Sequence, residues 1–376
     1  MKTAVVAGHI CLDVIPGFEH HVDLVPGRLL ECGAPTLATG GAVSNTGMTM
    51  HLLGAPVTLM GKVGDDQFGD TVRQVVAQRA PGLERGMTVA PGAITSYTVV
   101  VNIPGIDRIF LHCPGANADF TSQDVDWRLA SQSDLFHFGY PCFMKATYDN
   151  GGVELKAMYR KAKELGMTTS MDPGMPDPNG PAGKVDWKKL LSEVLPDTDL
   201  FLPSADELLY MLRPDKFGEG DNLSVEELHS LGEEMIGMGT AVATVKLGSR
   251  GMYVRSASAE RIAAMGRARP DDVEAWADRE FIFPVFRPTE FKGATGAGDS
   301  AIGSFLVSLL RGLSLREAGL MAAAVGACNV EAPDSLSGIR SWEETTARVA
   351  SGWTRTHLEL TEPGWALGKD GVWENA

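Results

Sequence analysis

Residues 2–8 form a short apolar run closed by a glycine, the pattern of a strand buried on both faces. Residues 46–53 are helical in composition and stop at Gly54, residues 57–63 read as a strand, and residues 68–79 read as a helix. Beyond residue 130 the two periods alternate. Strands are predicted at 134–138, 168–172, 199–202, 241–246, 252–255 and 281–285, and helices at 152–165, 187–194, 225–235, 300–310 and 316–330. Strands alternating with helices imply right-handed crossovers and a largely parallel sheet covered on both faces. Two stretches break this rhythm. Residues 16–39 are short extended pieces interrupted by Pro16, Gly17, Pro26, Gly27 and Pro35, and residues 94–113 hold two β-rich runs, SYTVVVNI and RIFLHC, around Pro104–Gly105. Residues 267–279 are polar and charged and read as a solvated excursion. With no internal repeat, low-complexity segment or linker, residues 1–376 are expected to form a single α/β domain.

Charge narrows the partners. The 48 acidic residues exceed the 33 basic ones, giving a formal net charge of -15. That sign argues against nucleic acid or an anionic membrane surface, although a local cluster of N–H groups and lysines still accommodates a nucleotide. Cys11, Cys32, Cys113, Cys142 and Cys328 are scattered without a CxxC pair, as expected of free thiols in a reducing compartment. The opening apolar run is interrupted by His9 and Asp13 too early for a signal peptide, and no run approaches the roughly 18 apolar residues of a membrane helix. A soluble, cytoplasmic protein is expected.

The segment GATGAGDSAIGSF, residues 293–305, carries the clearest chemistry. Gly296, Ala297 and Gly298 lead into Asp299, after which Ile302, Phe305, Leu306, Leu309 and Leu310 recur at helical spacing. A small-residue turn opening a helix directs unpaired N–H groups outward and makes an anion hole, and a carboxylate in the same turn is suited to taking a proton from an attacking hydroxyl. A plain turn with Asp299 as helix cap fits this segment equally well.

Other candidates fall where parallel sheets bind ligands, outside the carboxyl ends of strands. Asp13 follows the first strand; it suits sugar hydroxyls but alone fits a turn residue better. Gly40, Gly41 and Asn45 in TGGAVSN permit close backbone approach and offer a donor and an acceptor, and a loop with an Asn cap explains them too. In GKVGDDQFG, Asp65 and Asp66 cap the following helix. Lys246, Gly248, Ser249 and Gly251, in KLGSRG, fit either a phosphate-wrapping loop or a hairpin turn. Glu207, in PSADELLYML, fits contact with a metal-bound water or a helix start. There is no GxxxxGK[ST] loop, no GxGxxG after a strand and no GxSxG elbow. The histidines show no metal-ligand spacing, and His20–His21 reads as a solvated pair.

Taken in order, TGGAVSNTGMTMHLLGA with GKVGDDQFG, and ATGAGDSAIGSF, resemble the N- and C-terminal signatures of the PfkB, or ribokinase-like, family of carbohydrate and nucleoside kinases. The resemblance spans essentially the whole chain. It implies a central, mostly parallel sheet flanked by helices, with a small β-sheet lid formed by about 16–39 and 94–113. It further implies ATP-dependent phosphorylation of a hydroxyl on a small sugar. Asp299 would be the base, and Gly296, Ala297 and Gly298 the anion hole. Asp13, Gly40, Gly41 and Asn45 would hold the sugar, together with Asn117 in PGANADF. Lys246, Gly248, Ser249 and Gly251 would line ATP, and Glu207 would reach Mg²⁺ through water. Two copies would pair through the lid.

Two positions depart from the family pattern. Ser204 stands three residues before Glu207 where relatives commonly carry Asn. Gly293–Ala294–Thr295 replaces Asp-Thr-Thr, so the carboxylate that goes with monovalent-cation activation is missing. The sugar-end segments, 13–45 and 94–117, carry Arg28 and Arg108 against Asp13, Glu19, Asp23, Glu31 and Asp107. A neutral acceptor is therefore expected, with a sugar acid accommodated only if Arg28 or Arg108 turns inward. A nucleoside kinase, or a non-catalytic sugar- or nucleotide-sensing relative, remains the alternative.

Overall fold

The computed structural model describes residues 1–106 and 108–375; Asp107, counted above among the acidic residues of the sugar end, lies outside them. Among the described residues the main sheet has ten strands. Six of these pair in parallel, in the order Val242–Lys246, Leu200–Phe201, Thr168–Asp172, Leu135–Gly139, Ala4–Gly8 and Val57–Met60. Met252–Ser256, Glu280–Phe283, Trp373–Asn375 and Trp365–Leu367 continue the other edge antiparallel. The expected mostly parallel α/β sheet is present, and most of its parallel strands are apolar runs because helices cover both faces, the buried but polar Thr168–Asp172 (TTSMD) being the exception. One face packs Ala42–Leu52, Gln67–Arg79, Ala297–Leu310 and Leu315–Asn329; the other packs Lys145–Glu164, Trp187–Val194, Ala205–Leu212 and Val225–Gly237.

Several boundaries shift for local reasons. The helix expected from residue 46 starts at Ala42, because Gly41 (φ 89°) lets the chain turn sharply into it. The strand expected over 57–63 is broken at Gly61, where a side chain would meet Ile10 Cγ2 at 2.6 Å. Its second half, Lys62–Gly64, leaves the main sheet and pairs with Thr88–Ala90. KLGSRG does form a hairpin, joining Val242–Lys246 to Met252–Ser256. A side chain at Gly251 (φ 106°) would lie 1.9 Å from the Phe283 carbonyl, so only glycine fits there.

A second sheet orders its strands Gly33–Gly40, Cys11–Gly17, Tyr97–Val101 and Ile109–Cys113. Its strands begin at Cys11 rather than near 16, and residues 18–32 hold none. Only His9 and Ile10 separate the main-sheet strand Ala4–Gly8 from Cys11–Gly17, so the two sheets meet over this short link. Among the described residues no helix is long and apolar enough to cross a membrane.

Candidate active site

The helix Ala297–Leu310 begins at Gly296 (φ 75°) with no side-chain cap. The Ala297 N–H donates to the Ala294 carbonyl and the Ser300 N–H to the Gly296 carbonyl. The Gly298 and Asp299 N–H groups therefore lack partners from the helix itself and sit at the positive end of its dipole. The helix start packs against Ser335, whose Cβ would lie 2.5 Å from a side chain placed at Gly296.

Asp299 is 6% exposed and draws three elements together. Its Oδ1 accepts from the Tyr140 hydroxyl at 2.6 Å and from Thr46 Oγ1 at 3.0 Å, and its Oδ2 accepts from Asn45 Nδ2 at 3.2 Å. Tyr140 directly follows the strand Leu135–Gly139 in a left-handed conformation (φ 66°), while Asn45 and Thr46 lie in the first turns of Ala42–Leu52. Burial pushes the Asp299 carboxyl up, while the hydrogen bonds and the Lys246 charge favour the carboxylate. The site thus holds a buried, oriented carboxylate beside an unfilled helix start, an arrangement suited to proton abstraction next to an anion.

Lys246 ends the strand Val242–Lys246 and turns inward. Its Nζ donates to both oxygens of Asp172, at 3.0 and 3.1 Å, and lies 3.8 Å from Glu207 Oε2. Burial opposes the Lys246 charge, but Asp172, Glu207 and Asp299 together outweigh it and raise its pKa; burial pushes the Asp172 carboxyl up as well. Two contacts near 3 Å to one carboxylate favour the ionised pair. A Cβ at Gly298 would lie 3.4 Å from Lys246 Cδ, so the lysine stem flanks the helix start. Glu207 sits at the helix start, as one of its two readings expects. Its Oε2 accepts from the Ser204 N–H at 2.6 Å, closing a capping box on Ala205–Leu212, while the same carboxylate faces Lys246. Ser204, the departure from Asn, is the N-cap of that box.

At the other end of the cleft, Asp13 is pushed up to about 6 by burial, and its Oδ1 accepts a weak hydrogen bond from the Cys11 thiol at 3.4 Å. Gly40 makes room for it, since a Cβ there would lie 2.4 Å from Asp13 Oδ2. Gly41 would similarly collide with His9. Asn117 is wholly buried, and its Nδ2 donates to the Ile10 carbonyl at 2.8 Å, bracing the link between the sheets from inside. Gly248 and Ser249 stand exposed on the turn Gly248–Arg250, beyond Lys246. Of the two arginines near the sugar end, Arg28 is exposed and Arg108 turns inward, donating to Thr295 Oγ1 in the loop before Gly296.

Tyr140, Thr46, Asp172 and Arg108 join the expected residues. Asp172 and Tyr140 were foreshadowed only by position, each lying at or just beyond the carboxyl end of a parallel strand. Thr46 directly follows the TGGAVSN motif.

A family model described as pfkB family carbohydrate kinase matches residues 1–341. A protein from Archaeoglobus fulgidus named an uncharacterized sugar kinase is 27% identical over 296 residues, covering 78% of this chain and 98% of that protein. Fructokinase-2 of Zea mays is 26% identical over 220 residues, covering 58% of this chain and 62% of its own. Among solved structures, Arabidopsis thaliana ribokinase complexed with ribose and ATP superposes with a TM-score of 0.69 at 16% identity, covering 92% of this chain and 98% of that one. Fructokinase with bound ATP from Xylella fastidiosa gives 0.70 at 18% identity, covering 94% and 99%. At such identities the structures share the fold.

Proposed function

The chain belongs to the pfkB family of carbohydrate kinases, and from that premise we propose that it transfers the γ-phosphoryl group of ATP to a hydroxyl of a small neutral sugar. The observation that carries this reading is the Asp299 carboxylate, held by Tyr140, Thr46 and Asn45 at an uncapped helix start flanked by Lys246. Asp299 takes the proton of the attacking hydroxyl. The Gly298 and Asp299 N–H groups and Lys246 meet the charge on the transferred phosphoryl oxygens. Asp13, Gly40, Gly41 and Asn45 form the sugar end, with Asn117 supporting it. Gly248, Ser249 and Gly251 form the nucleotide turn. The all-oxygen pair Asp172 and Glu207 fits Mg²⁺, which binds few carboxylates and retains its waters; Glu207 would hold it through water, and the ion would neutralise the phosphate charge. Residues 1–376 act as one domain with the four-stranded sheet as lid. Its exposed Leu37 and Leu111, in register across Val14 and Val99, mark the face on which two copies would pair.

Two outcomes are expected. The ionised Asp13 carboxylate accepts from sugar hydroxyls with both oxygens and more strongly than its protonated form, so acceptor affinity falls as pH drops through about 6. KM for the acceptor rises on that limb while KM for ATP does not. An acceptor KM that is flat from pH 5 to 7 contradicts the role of Asp13.

The acceptor's own charge gives the second. Arg28 is exposed and Arg108, though turned inward, is directed to Thr295 rather than to Asp13, so among the described residues no cation is gathered at Asp13 to offset a dianion. kcat/KM should be higher for a free sugar than for its phosphate. A clear preference for the phosphorylated compound overturns the neutral assignment. A preference for a sugar acid also overturns it, and transfers Arg108 to the acceptor.

A further inference from the structure

His9, Cys11 and His112 converge at the link between the two sheets. One ring nitrogen of each histidine and the Cys11 sulfur all lie within 4.8 Å of one another. His9 is 3% exposed, yet neither of its ring nitrogens has a hydrogen-bond partner. Neighbouring rings of His112, Phe143 and Tyr140, with centroids 5.2, 5.4 and 6.1 Å away, pack the imidazole without satisfying its nitrogens. A buried polar group left so is costly unless something outside the protein meets it. The Thr98 hydroxyl, 3.0 Å from His112 Nδ1 and 3.6 Å from Cys11 Sγ, ties the other two donors together.

We propose that His9, Cys11 and His112 bind one thiophilic divalent cation of the Zn²⁺ class. Two imidazoles and a thiolate select such ions over Mg²⁺, which separates this site from the all-oxygen pair Asp172 and Glu207. Bonds of about 2.0–2.3 Å place tetrahedral donors about 3.3–3.8 Å apart, so the set closes by roughly 1 Å on binding. His112, exposed on the edge strand Ile109–Cys113, is the donor placed to move. On binding, the Cys11 thiol gives its proton to solvent as the metal–sulfur bond forms. Three protein donors leave a fourth position for water. Spacing along the chain does not announce this set, because residues 9 and 112 meet only in the fold. Cys11 lies two residues from Asp13, so the bound ion occupies the acceptor end of the cleft; this consequence rests on the kinase reading.

The test begins with full-length protein freed of metal by a chelator. Zn²⁺ titrated against a chromophoric chelator should bind at one ion per chain, and His112→Ala and Cys11→Ser should each weaken it at least about tenfold. Co²⁺ should give a thiolate charge-transfer band that Cys11→Ser abolishes. Cys32→Ser, which removes an exposed thiol elsewhere, should leave the affinity unchanged. His112 is exposed, so its replacement does not put the fold at risk. Absence of binding at micromolar Zn²⁺, or affinity indifferent to both ligand substitutions, overturns the site. In the active enzyme, Zn²⁺ should raise KM for the acceptor and not for ATP. The titrations need no turnover. A chain that binds Zn²⁺ through these residues but phosphorylates no sugar retains the site and loses the kinase reading. A chain that phosphorylates sugar but fails the titration loses the site alone.

Discussion

Asp299→Asn should lower turnover by about 10²–10⁴-fold, the usual worth of a general base, or about 3–5 kcal/mol of barrier. The substitution keeps the shape of the side chain and removes its basicity. The fold accommodates the new amide, because the Tyr140 and Thr46 hydroxyls that donate to Asp299 also accept, and Asn45 Oδ1 is buried without a partner. Burial pushes the Asp299 carboxyl up, so its charged form works against folding near neutral pH and a neutral replacement relieves that cost. The thermal midpoint of the variant should equal or exceed the parent's, and ATP affinity should persist. Near-normal turnover in a folded Asp299→Asn protein removes Asp299 from the chemistry.

Gly298→Val should have the next largest effect. A Cβ at this position meets the Lys246 stem first, at 3.4 Å from Cδ and 3.9 Å from Nζ, ordinary contact distances, so the protein accepts a Cβ there. That position lies between the helix start and Lys246, where the proposed mechanism seats the transferred phosphoryl group. Filling it keeps the phosphate from the Gly298 and Asp299 N–H groups, and kcat should fall about 10²–10³-fold, as when one oxyanion donor is lost. Acceptor affinity, set at the Asp13 end, should change little. If Gly298→Val instead raises KM for the sugar strongly and leaves kcat intact, the turn belongs to the sugar pocket. Gly296 is unsuited to this test, since its φ of 75° and its contact with Ser335 make any substitution a structural lesion.

The parallel sheet was legible because most buried strands are written as apolar runs; the helix Trp187–Val194, and the strand Thr168–Asp172 despite its polar residues, were bounded correctly to the residue. The last two strands at the antiparallel end, Trp365–Leu367 and Trp373–Asn375, were not, being too short to carry a period. The helix Trp342–Ala350 passed unnoticed although Ser341 and Glu344 spell its capping box. In the site, Asp299 stood out because its chemistry is local, with the glycines, the carboxylate and the helix start contiguous in the chain. Tyr140, Asp172 and Arg108 are single residues whose partners lie 159, 74 and 187 positions away. No local pattern marks them, and only the sheet order and the return of the small sheet bring them to Asp299, Lys246 and Thr295. Lys246 was expected along the nucleotide turn. Its inward course reflects three carboxylates, Asp172, Glu207 and Asp299, each on a different element from its own.

The most direct measurement is product analysis after incubating the protein with ATP, Mg²⁺ and a panel of free sugars and nucleosides. Mass spectrometry should detect a monophosphorylated neutral sugar formed in equal amount to ADP, and Asp299→Asn should suppress it under the same conditions. No phosphorylated product from any sugar in the panel, or ADP released without acceptor phosphorylation, would contradict the account.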